Sequence, residues 1–177
     1  MNPPHAPRTR PGHARTALLL SAKLAGGVRV LSGALRRRGW RVVLVSELVH
    51  DPNAAACDDH VVVDWDGTDE AIAGAVRSAG VQADAVVNMV ESLIARRAAL
   101  LDHLGLTDPS AGLTSLTDKA AVRRAADDAG VFPIRWTAGA LADLARNPPQ
   151  EYPVVLKPAV VSGASRDVHL LRSAPEL

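Results

Sequence analysis

Lys157 stands where a cation could bind a phosphate group. It ends the apolar run 152–156 and is followed at once by Pro158, which cannot donate a hydrogen bond to a sheet. A lysine at the end of a strand supplies a compact positive charge with three hydrogen-bond donors. The pattern predicts an anion-binding position, and the alternative is a surface lysine beside an ordinary hairpin turn.

The loop after Lys157 could surround the same anion. Residues 160–167 (Val-Val-Ser-Gly-Ala-Ser-Arg-Asp) offer backbone N–H groups, two hydroxyl groups and one guanidinium. Successive N–H groups in such a loop can form a concave site for an anion. The loop is therefore a second indication of phosphate chemistry in this part of the chain.

Lys119 departs from the usual charge pattern at the start of a helix. It follows Thr117 and Asp118, and we predict a helix over Asp118–Ala129 with Thr117 as its N-cap. A cation in the first turn opposes the helix dipole and costs roughly 0.3–1 kcal/mol at an exposed site. Two interpretations follow: a solvated lysine that Asp118 compensates, or a lysine directed at an anion that the helix end also attracts.

The part of the chain that precedes these lysines shows a repeated alternation of predicted strands and helices. Apolar runs without polar alternation are typical of buried parallel strands, and helical spacing of apolar residues separates them. Short connections of this kind predict an α/β fold with a parallel sheet, whose ligands collect at the carboxyl ends of the strands. We expect strands at Ala17–Ser21, Arg41–Ser46, His60–Trp65 and Ala83–Asn88, and helices at Val28–Arg38, 68–79 (capped by Thr68) and Ser92–Leu104.

The pattern changes after Leu106, where a linker rich in turn-forming residues begins. After the helix that contains Lys119 we expect an extended piece over Phe132–Thr137, a short helix near 139–145, and strands at Tyr152–Lys157 and Val168–Leu171. The predicted organisation is a disordered tail over 1–15, a first domain over 16–107 and a second over 108–177. The tail is assigned from its four prolines, three arginines and lack of apolar residues.

The composition excludes several classes of function. With 20 basic and 19 acidic residues the formal charge is +1, so no electrostatic signal for nucleic acid or an anionic membrane is present. Cys57 is the single cysteine, which excludes an intrachain disulfide framework. No apolar run approaches the roughly 20 residues that span a bilayer. We therefore expect a cytoplasmic protein with no nucleic-acid or membrane partner.

Two other groups of residues carry weaker signals. Cys57-Asp58-Asp59-His60 contains metal-ligand types, but neighbouring residues that enter a strand point to opposite faces, so we expect a polar loop and no metal site. The pair Gly26-Gly27 after the first strand is similar to part of a dinucleotide-binding fingerprint that lacks its third glycine.

Taken in order, five segments of the chain resemble the ATP-grasp superfamily, and especially its carboxylate–amine ligases. The resemblance implies a Rossmann-like parallel sheet (the pre-ATP-grasp domain) followed by an incomplete α+β ATP-grasp subdomain. The segments are Leu104-Gly105-Leu106, Leu116-Thr117-Asp118-Lys119, Ala129-Gly130-Val131-Phe132-Pro133, Tyr152-Pro153-Val154-Val155-Leu156-Lys157-Pro158 and Ser162-Gly163-Ala164-Ser165.

The resemblance also implies an activity and a set of binding residues. ATP and Mg²⁺ would be the cofactors, and a small carboxylic or amino acid would be activated as an acyl-phosphate that an amine attacks. Lys119 and Lys157 would contact the ATP phosphates, Glu91 would contact the substrate, and a mobile loop would close over the β- and γ-phosphates. That loop would comprise Ser162, Gly163, Ala164 and Ser165.

The chain departs from the family pattern in two respects. Asp167 stands where the family usually has glycine, and Val160 and Val161 replace smaller residues. In the family, the adenine-contacting segment and the magnesium ligands also lie beyond the position of Leu177. We therefore expect a C–N-bond-forming ligase that is inactive as this chain alone, with a homodimer or a complementing C-terminal half as partner. The alternative is a non-catalytic remnant or Rossmann-like binding module, and no catalytic residue is assigned.

Overall fold

The computed structural model describes residues 15–22, 26–108, 110, 112–131, 134–160 and 167–177. The predicted loop residues Ser162, Gly163, Ala164 and Ser165 lie outside these ranges, as do Phe132 and Pro133. The chain forms two compact units, which divide between residues 109 and 110. The identification of these units as pre-ATP-grasp and ATP-grasp domains stays a prediction.

Unit 1 is built on a sheet of four parallel strands, which confirms the predicted α/β class. The strands are β1 (Thr16–Leu20), β2 (Arg41–Ser46), β3 (Asp59–Val62) and β4 (Ala85–Asn88). Their order in the sheet is β3-β2-β1-β4, so the chain moves outward in one direction from β1 and then crosses to its other side. Leu20 is paired with Val45 on one side and with Asn88 on the other.

Three helices cover this sheet: α1 (Val28–Arg36), α2 (Asp69–Ser78) and α3 (Ile94–His103). Every residue of β1 is buried, because the strand is central and has helices on both faces. Leu18 and Leu20 pack with buried residues of α2 and α3, whereas Leu19 packs with Val28 of α1. The predicted cap of α2 is confirmed, since the Thr68 hydroxyl accepts a hydrogen bond from the Ala71 N–H at 3.2 Å.

In its described residues, unit 2 contains two short 3-10 helices, two α-helices and one pair of antiparallel strands. Val155 is paired with Leu170 across the strand pair. Residues 134–137, predicted to be extended, form no strand. Among the described side chains of this unit only Leu171 is buried, at 5% exposure, so this described part has almost no core. The elements are a 3-10 helix (Leu113–Thr117), α4 (Lys119–Asp128), α5 (Leu141–Arg146), β5 (Val154–Leu156), β6 (His169–Leu171) and a second 3-10 helix (Ala174–Glu176).

The N-cap of α4 differs from the prediction. Asp118, not Thr117, caps the helix, because its carboxylate accepts hydrogen bonds from the N–H groups of Ala120 at 2.8 Å and Ala121 at 3.0 Å. The Thr117 hydroxyl instead donates to the carbonyl of Thr114 at 2.7 Å and closes the preceding 3-10 helix. A carboxylate is also favoured here by the helix dipole.

In the described ranges, no helix combines the length and the apolar character that crossing a membrane requires.

Candidate functional site

The N-terminus of α4 is hydrogen-bonded to the segment that follows β5. The backbone N–H of Lys119 donates to the carbonyl oxygen of Ala159 at 2.8 Å. Ala159 is two residues after Lys157, which itself comes directly after β5. The backbone segments that carry the two predicted phosphate lysines therefore meet at one junction in unit 2.

The ammonium group of Lys119 is buried at this junction. Its Nζ atom is shielded from solvent and has no hydrogen-bond partner among the described residues. A buried ammonium without a partner is unfavourable, since it loses its hydration and gains no compensating contact. An anionic ligand, such as a phosphate, would supply that contact, so the local chemistry of Lys119 fits a phosphate.

Lys157 differs from Lys119 in its surroundings, because its side chain is exposed to solvent. It directly follows the last residue of β5, as expected for a cation at a strand end. Lys157 is therefore accessible to a ligand.

The amide groups at the start of α4 are already occupied. Lys119 donates its N–H to Ala159, Ala120 and Ala121 donate theirs to the Asp118 carboxylate, and Val122 donates to the Asp118 carbonyl at 3.0 Å. The helix end thus has no free first-turn N–H to offer an anion. A phosphate at the start of α4 would therefore be bound by the lysine side chains. Hydrogen bonds from the helix N-terminus, which the sequence suggested as a second attraction, are not available.

Asp167 marks the end of the predicted phosphate loop and adopts an unusual backbone conformation. Its φ angle is +54°, in the left-handed region that favours glycine. Aspartate is one of the few other residues that enters this region readily. This backbone conformation is the physical reason why glycine suits this position, and Asp167 adopts the same conformation.

Glu91 belongs to unit 1, at the carboxyl edge of its sheet. It begins a 3-10 helix (Glu91–Leu93) shortly after β4, and its side chain is exposed. Asn88 fixes the intervening turn, because its amide donates to the Val90 carbonyl and its side-chain oxygen accepts from the Val90 N–H, both at 2.8 Å. The strand order changes direction between β1 and β4, and such switch points are where ligands of open α/β sheets bind.

The loops after β1 and β4 come together at Gly27. Gly27 precedes α1 with φ at +85°, and an added Cβ would lie 2.8 Å from Cε of Met89. The left-handed conformation strains any larger residue at this position, whereas the flexible Met89 side chain could move away from an added Cβ. Of the Gly26-Gly27 pair, Gly27 is thus explained by its left-handed backbone conformation.

Two buried polar groups near the carboxyl edge were not singled out from the sequence. The hydroxyl of Ser21, directly after β1, and one carboxylate oxygen of Asp51 have no hydrogen-bond partner among the described residues. Ser21 is fully buried and Asp51 is 5% exposed. The sequence signal that could have found these groups is a polar residue directly after an apolar strand. Ser21 shows it, because it follows β1 at once, whereas Asp51 lies five residues after the end of β2.

Three of the residues in the segment Cys57-Asp58-Asp59-His60 have polar partners within unit 1. Asp58 accepts a hydrogen bond from the Val42 N–H at 2.8 Å, Asp59 pairs with Arg41, and His60 Nε2 lies 2.9 Å from the Ser46 hydroxyl. Burial raises the pKa of the Cys57 thiol, and the neighbouring Ser32 hydroxyl partly offsets this. Across the described ranges, no three His, Cys, Asp or Glu side chains are grouped to hold a metal ion.

No protein-family model matches the sequence, and no curated protein matches it either. Solved structures do match. An L-amino acid ligase from Bacillus licheniformis shares 20% identity and a TM-score of 0.71, covering 92% of this chain and 40% of the ligase. The biotin carboxylase domain of 2-oxoglutarate carboxylase from Hydrogenobacter thermophilus, solved with MgADP, ADP and bicarbonate, shares 18% identity and a TM-score of 0.72. The match covers 92% of this chain and 38% of the carboxylase chain.

A third similar structure is the N5-carboxyaminoimidazole synthetase from Staphylococcus aureus complexed with ADP. It shares 15% identity and a TM-score of 0.66, and the match covers 90% of this chain and 42% of the synthetase. The chain thus has the fold of the N-terminal part of ATP-grasp carboxylate–amine ligases. It spans about two-fifths of the length of these similar structures.

Proposed function

We propose that this chain is the N-terminal, phosphate-binding part of an ATP-dependent carboxylate–amine ligase. The observation that carries the proposal is the buried ammonium of Lys119, which has no partner in the described part of the chain and lies at the junction with the segment after Lys157. A nucleotide phosphate would compensate this charge. The fold shared with ADP-bound structures supports the same ligand.

The proposed reaction transfers the γ-phosphoryl group of ATP to a substrate carboxylate. This step forms an acyl-phosphate and releases ADP, and a substrate amine then attacks the acyl carbon and displaces inorganic phosphate. Lys119 and Lys157 would bind the phosphates and offset the negative charge that accumulates on the transferring group. Ser162, Gly163, Ala164 and Ser165 are proposed as the loop that closes over the β- and γ-phosphates.

Mg²⁺ would offset charge on the same phosphates when bound. Because the described residues offer no group of three suitable side chains, we propose that its ligands lie outside them. The chain's own contribution is then to bind and orient the nucleotide through its two lysines.

The proposed substrate is a small carboxylic or amino acid that meets the carboxyl edge of unit 1. Glu91 is exposed there, next to the turn that Asn88 fixes, and a carboxylate at this place could bind a substrate ammonium. Its position beside the switch between β1 and β4 supports a role in substrate binding.

The proposed partner is a complementing C-terminal half. Val155 and Leu170, paired across β5 and β6, are 60% and 49% exposed, although both are apolar. A sheet of two short strands is marginally stable unless more strands or a packing partner are added. The similar structures, of which the chain spans two-fifths, contain further polypeptide that could supply this cover. A homodimer is the other arrangement, and its signature is a doubled mass in light scattering.

Nucleotide binding tests the proposal directly. We expect ATP to raise the melting temperature of the chain, and Lys119→Met and Lys157→Met each to weaken ATP binding about tenfold, as the loss of one charge-assisted contact predicts. Arg146→Gln is the control, because Arg146 is an exposed cation of unit 2 that pairs with Asp143 on its own helix. Equal losses in all three variants, or no response to ATP, would contradict the proposal.

Turnover separates the ligase from the alternative, a non-catalytic Rossmann-like module. We expect no ATP-dependent phosphate release from this chain alone with a panel of amino acids, and release once a polypeptide that corresponds to the rest of the similar structures is added. Binding without turnover after complementation would favour the non-catalytic module. Turnover by this chain alone that Lys157→Ala abolishes would show that no further polypeptide is needed.

A further inference from the structure

Asp51 is a buried carboxylate in the loop between β2 and β3. It is 5% exposed, although its neighbours His50 and Pro52 are exposed, so it lies directly beneath the surface of unit 1. One carboxylate oxygen, Oδ1, accepts a hydrogen bond from the Asn53 N–H at 2.8 Å. The other, Oδ2, is shielded from solvent and has no hydrogen-bond partner among the described residues. Asp51 therefore keeps one charged acceptor that is not satisfied.

The cation beside this loop is used elsewhere. Arg29, in the first turn of α1, is exposed, and its guanidinium donates to the Pro52 carbonyl at 3.2 Å. It does not hydrogen-bond to Oδ2 of Asp51. A buried carboxylate without a partner is unfavourable, because burial removes its hydration and nothing replaces it. A ligand that carries positive charge and donates hydrogen bonds would supply the missing contact.

A second unsatisfied polar group lies on the same face of the sheet. Ala54, whose N–H donates to the Asp51 carbonyl at 3.0 Å, packs against the buried cluster that Leu19 and α1 share. Ser21 follows Leu19 by two residues, so the alternation of the strand places it on this face as well. Its hydroxyl is fully buried and has no partner among the described residues. Both groups lie towards the carboxyl edge, where ligands of parallel sheets bind.

We propose that Asp51 is the anionic group of a binding site for a primary ammonium. An ammonium carries its charge and three N–H donors in a small volume, so it can satisfy Oδ2 and further acceptors. A divalent metal ion fits less well, because the described residues offer no group of three side chains that could hold one. The inference does not depend on the proposed ligase, since it rests on contacts within unit 1.

Thermal unfolding with methylammonium chloride tests the site. We expect methylammonium to raise the melting temperature more than an equal concentration of tetramethylammonium, which has the same charge and no N–H donor. Asp51→Asn should weaken methylammonium binding about tenfold, as the loss of a charged hydrogen bond predicts. Asp64→Asn is the matched control: Asp64 accepts the Asp66 N–H at 2.9 Å in the same local pattern, but its side chain is exposed.

Two further measurements locate the ligand and the charge. Bound methylammonium should slow amide exchange over residues 49–56, because it would hold this loop against Asp51, and should leave exchange in α3 unchanged. Without any amine, Asp51→Asn should be at least as stable as the wild type, since it removes an uncompensated buried charge. A variant that is less stable would overturn the proposal, because the carboxylate would then have a stabilising partner in the free protein.

Three binding results would also overturn it: equal responses to methylammonium and tetramethylammonium, a response that Asp51→Asn retains, or a response that Asp64→Asn loses to the same extent. Glu91→Gln separates this site from the substrate contact proposed above, because it should leave methylammonium binding unchanged. Loss of methylammonium binding in Glu91→Gln alone would place the ammonium at Glu91 and refute the site at Asp51. A failure to bind ATP would contradict the proposed ligase and leave this inference standing.

Discussion

The backbone N–H of Lys119 donates a hydrogen bond to the carbonyl oxygen of Ala159 at 2.8 Å. This contact places the start of α4 beside the segment that Lys157 begins. It occupies only the backbone of Lys119, and the buried ammonium is left without a partner among the described residues. Backbone pairing and an unpaired charge at the same residue are the arrangement expected of a side chain that is held ready for a ligand.

Lys119→Met is therefore expected to stabilise the protein in the absence of nucleotide. The substitution keeps the length of the side chain and removes an uncompensated buried charge, so the free energy of unfolding should rise by about 1 kcal/mol. Chemical denaturation without nucleotide measures this. A loss of stability would mean that the ammonium has a stabilising partner.

Lys157→Met should behave differently, because the Lys157 side chain is exposed. We expect its free energy of unfolding to stay within about 0.5 kcal/mol of the wild type, as for most surface substitutions. Its ATP-dependent rise in melting temperature should nevertheless be reduced. A large change in stability without nucleotide would contradict the proposed role of Lys157, because it would show that the side chain contributes to the fold.

Asp118→Ala is expected to destabilise α4. The variant loses the side-chain hydrogen bonds to the N–H groups of Ala120 and Ala121, and removal of such a cap costs about 1 kcal/mol. Hydrogen exchange of α4 should accelerate accordingly. Thr117→Ala is the comparison, because Thr117 contributes to the preceding 3-10 helix; a larger effect on α4 exchange from Thr117 than from Asp118 would show that the cap is misassigned.

Gly27→Ala is expected to destabilise unit 1 by roughly 1–2 kcal/mol, since the left-handed conformation of Gly27 is costly for alanine. The contact with Met89 adds to this cost, but its flexible side chain can move away. Met89→Ala should therefore leave most of the penalty in place. Gly74→Ala is the control: it lies inside α2 with open space around it, so alanine should stabilise by about 0.5–1 kcal/mol.

Cys57 provides a prediction of pH dependence. Burial raises the pKa of its thiol, so the folded protein holds this proton more tightly than the unfolded chain, whose thiol pKa is about 8.5. The stability linked to Cys57 is complete below that unfolded value and is lost as the pH rises through the folded pKa. The free energy of unfolding should fall less with rising alkaline pH in Cys57→Ala than in the wild type.

Thiol reactivity checks the same assignment independently. The folded protein should react with a thiol reagent more slowly than the unfolded chain at pH 8, because the thiolate is the reactive form. Ser32→Ala removes the neighbouring hydroxyl, which lowers the pKa of this thiol, and should slow the reaction further. Equal rates in folded and unfolded protein would contradict the burial of this thiol.

The architecture of unit 1 follows from the local sequence. β2 has the predicted bounds, and β1 and the helices differ from prediction by a few residues at their ends. The strands could be predicted because the apolar runs Leu18–Leu20 and Val42–Val45 can be buried on both faces only in a central parallel strand. The position of Lys157 at the end of β5 could also be read from the sequence, since Pro158 ends the strand.

The contacts that define the candidate site depend on the tertiary structure. Asp118 is the cap of α4 only because Thr117 is held in the 3-10 helix before it. The junction between Lys119 and Ala159, like the pairing of Arg97 with Asp108, joins residues that no spacing rule connects. Periodicity and end signals act within one element, whereas partners across elements are chosen by how the elements pack, so only the folded chain reveals that the Lys119 ammonium is buried without a partner.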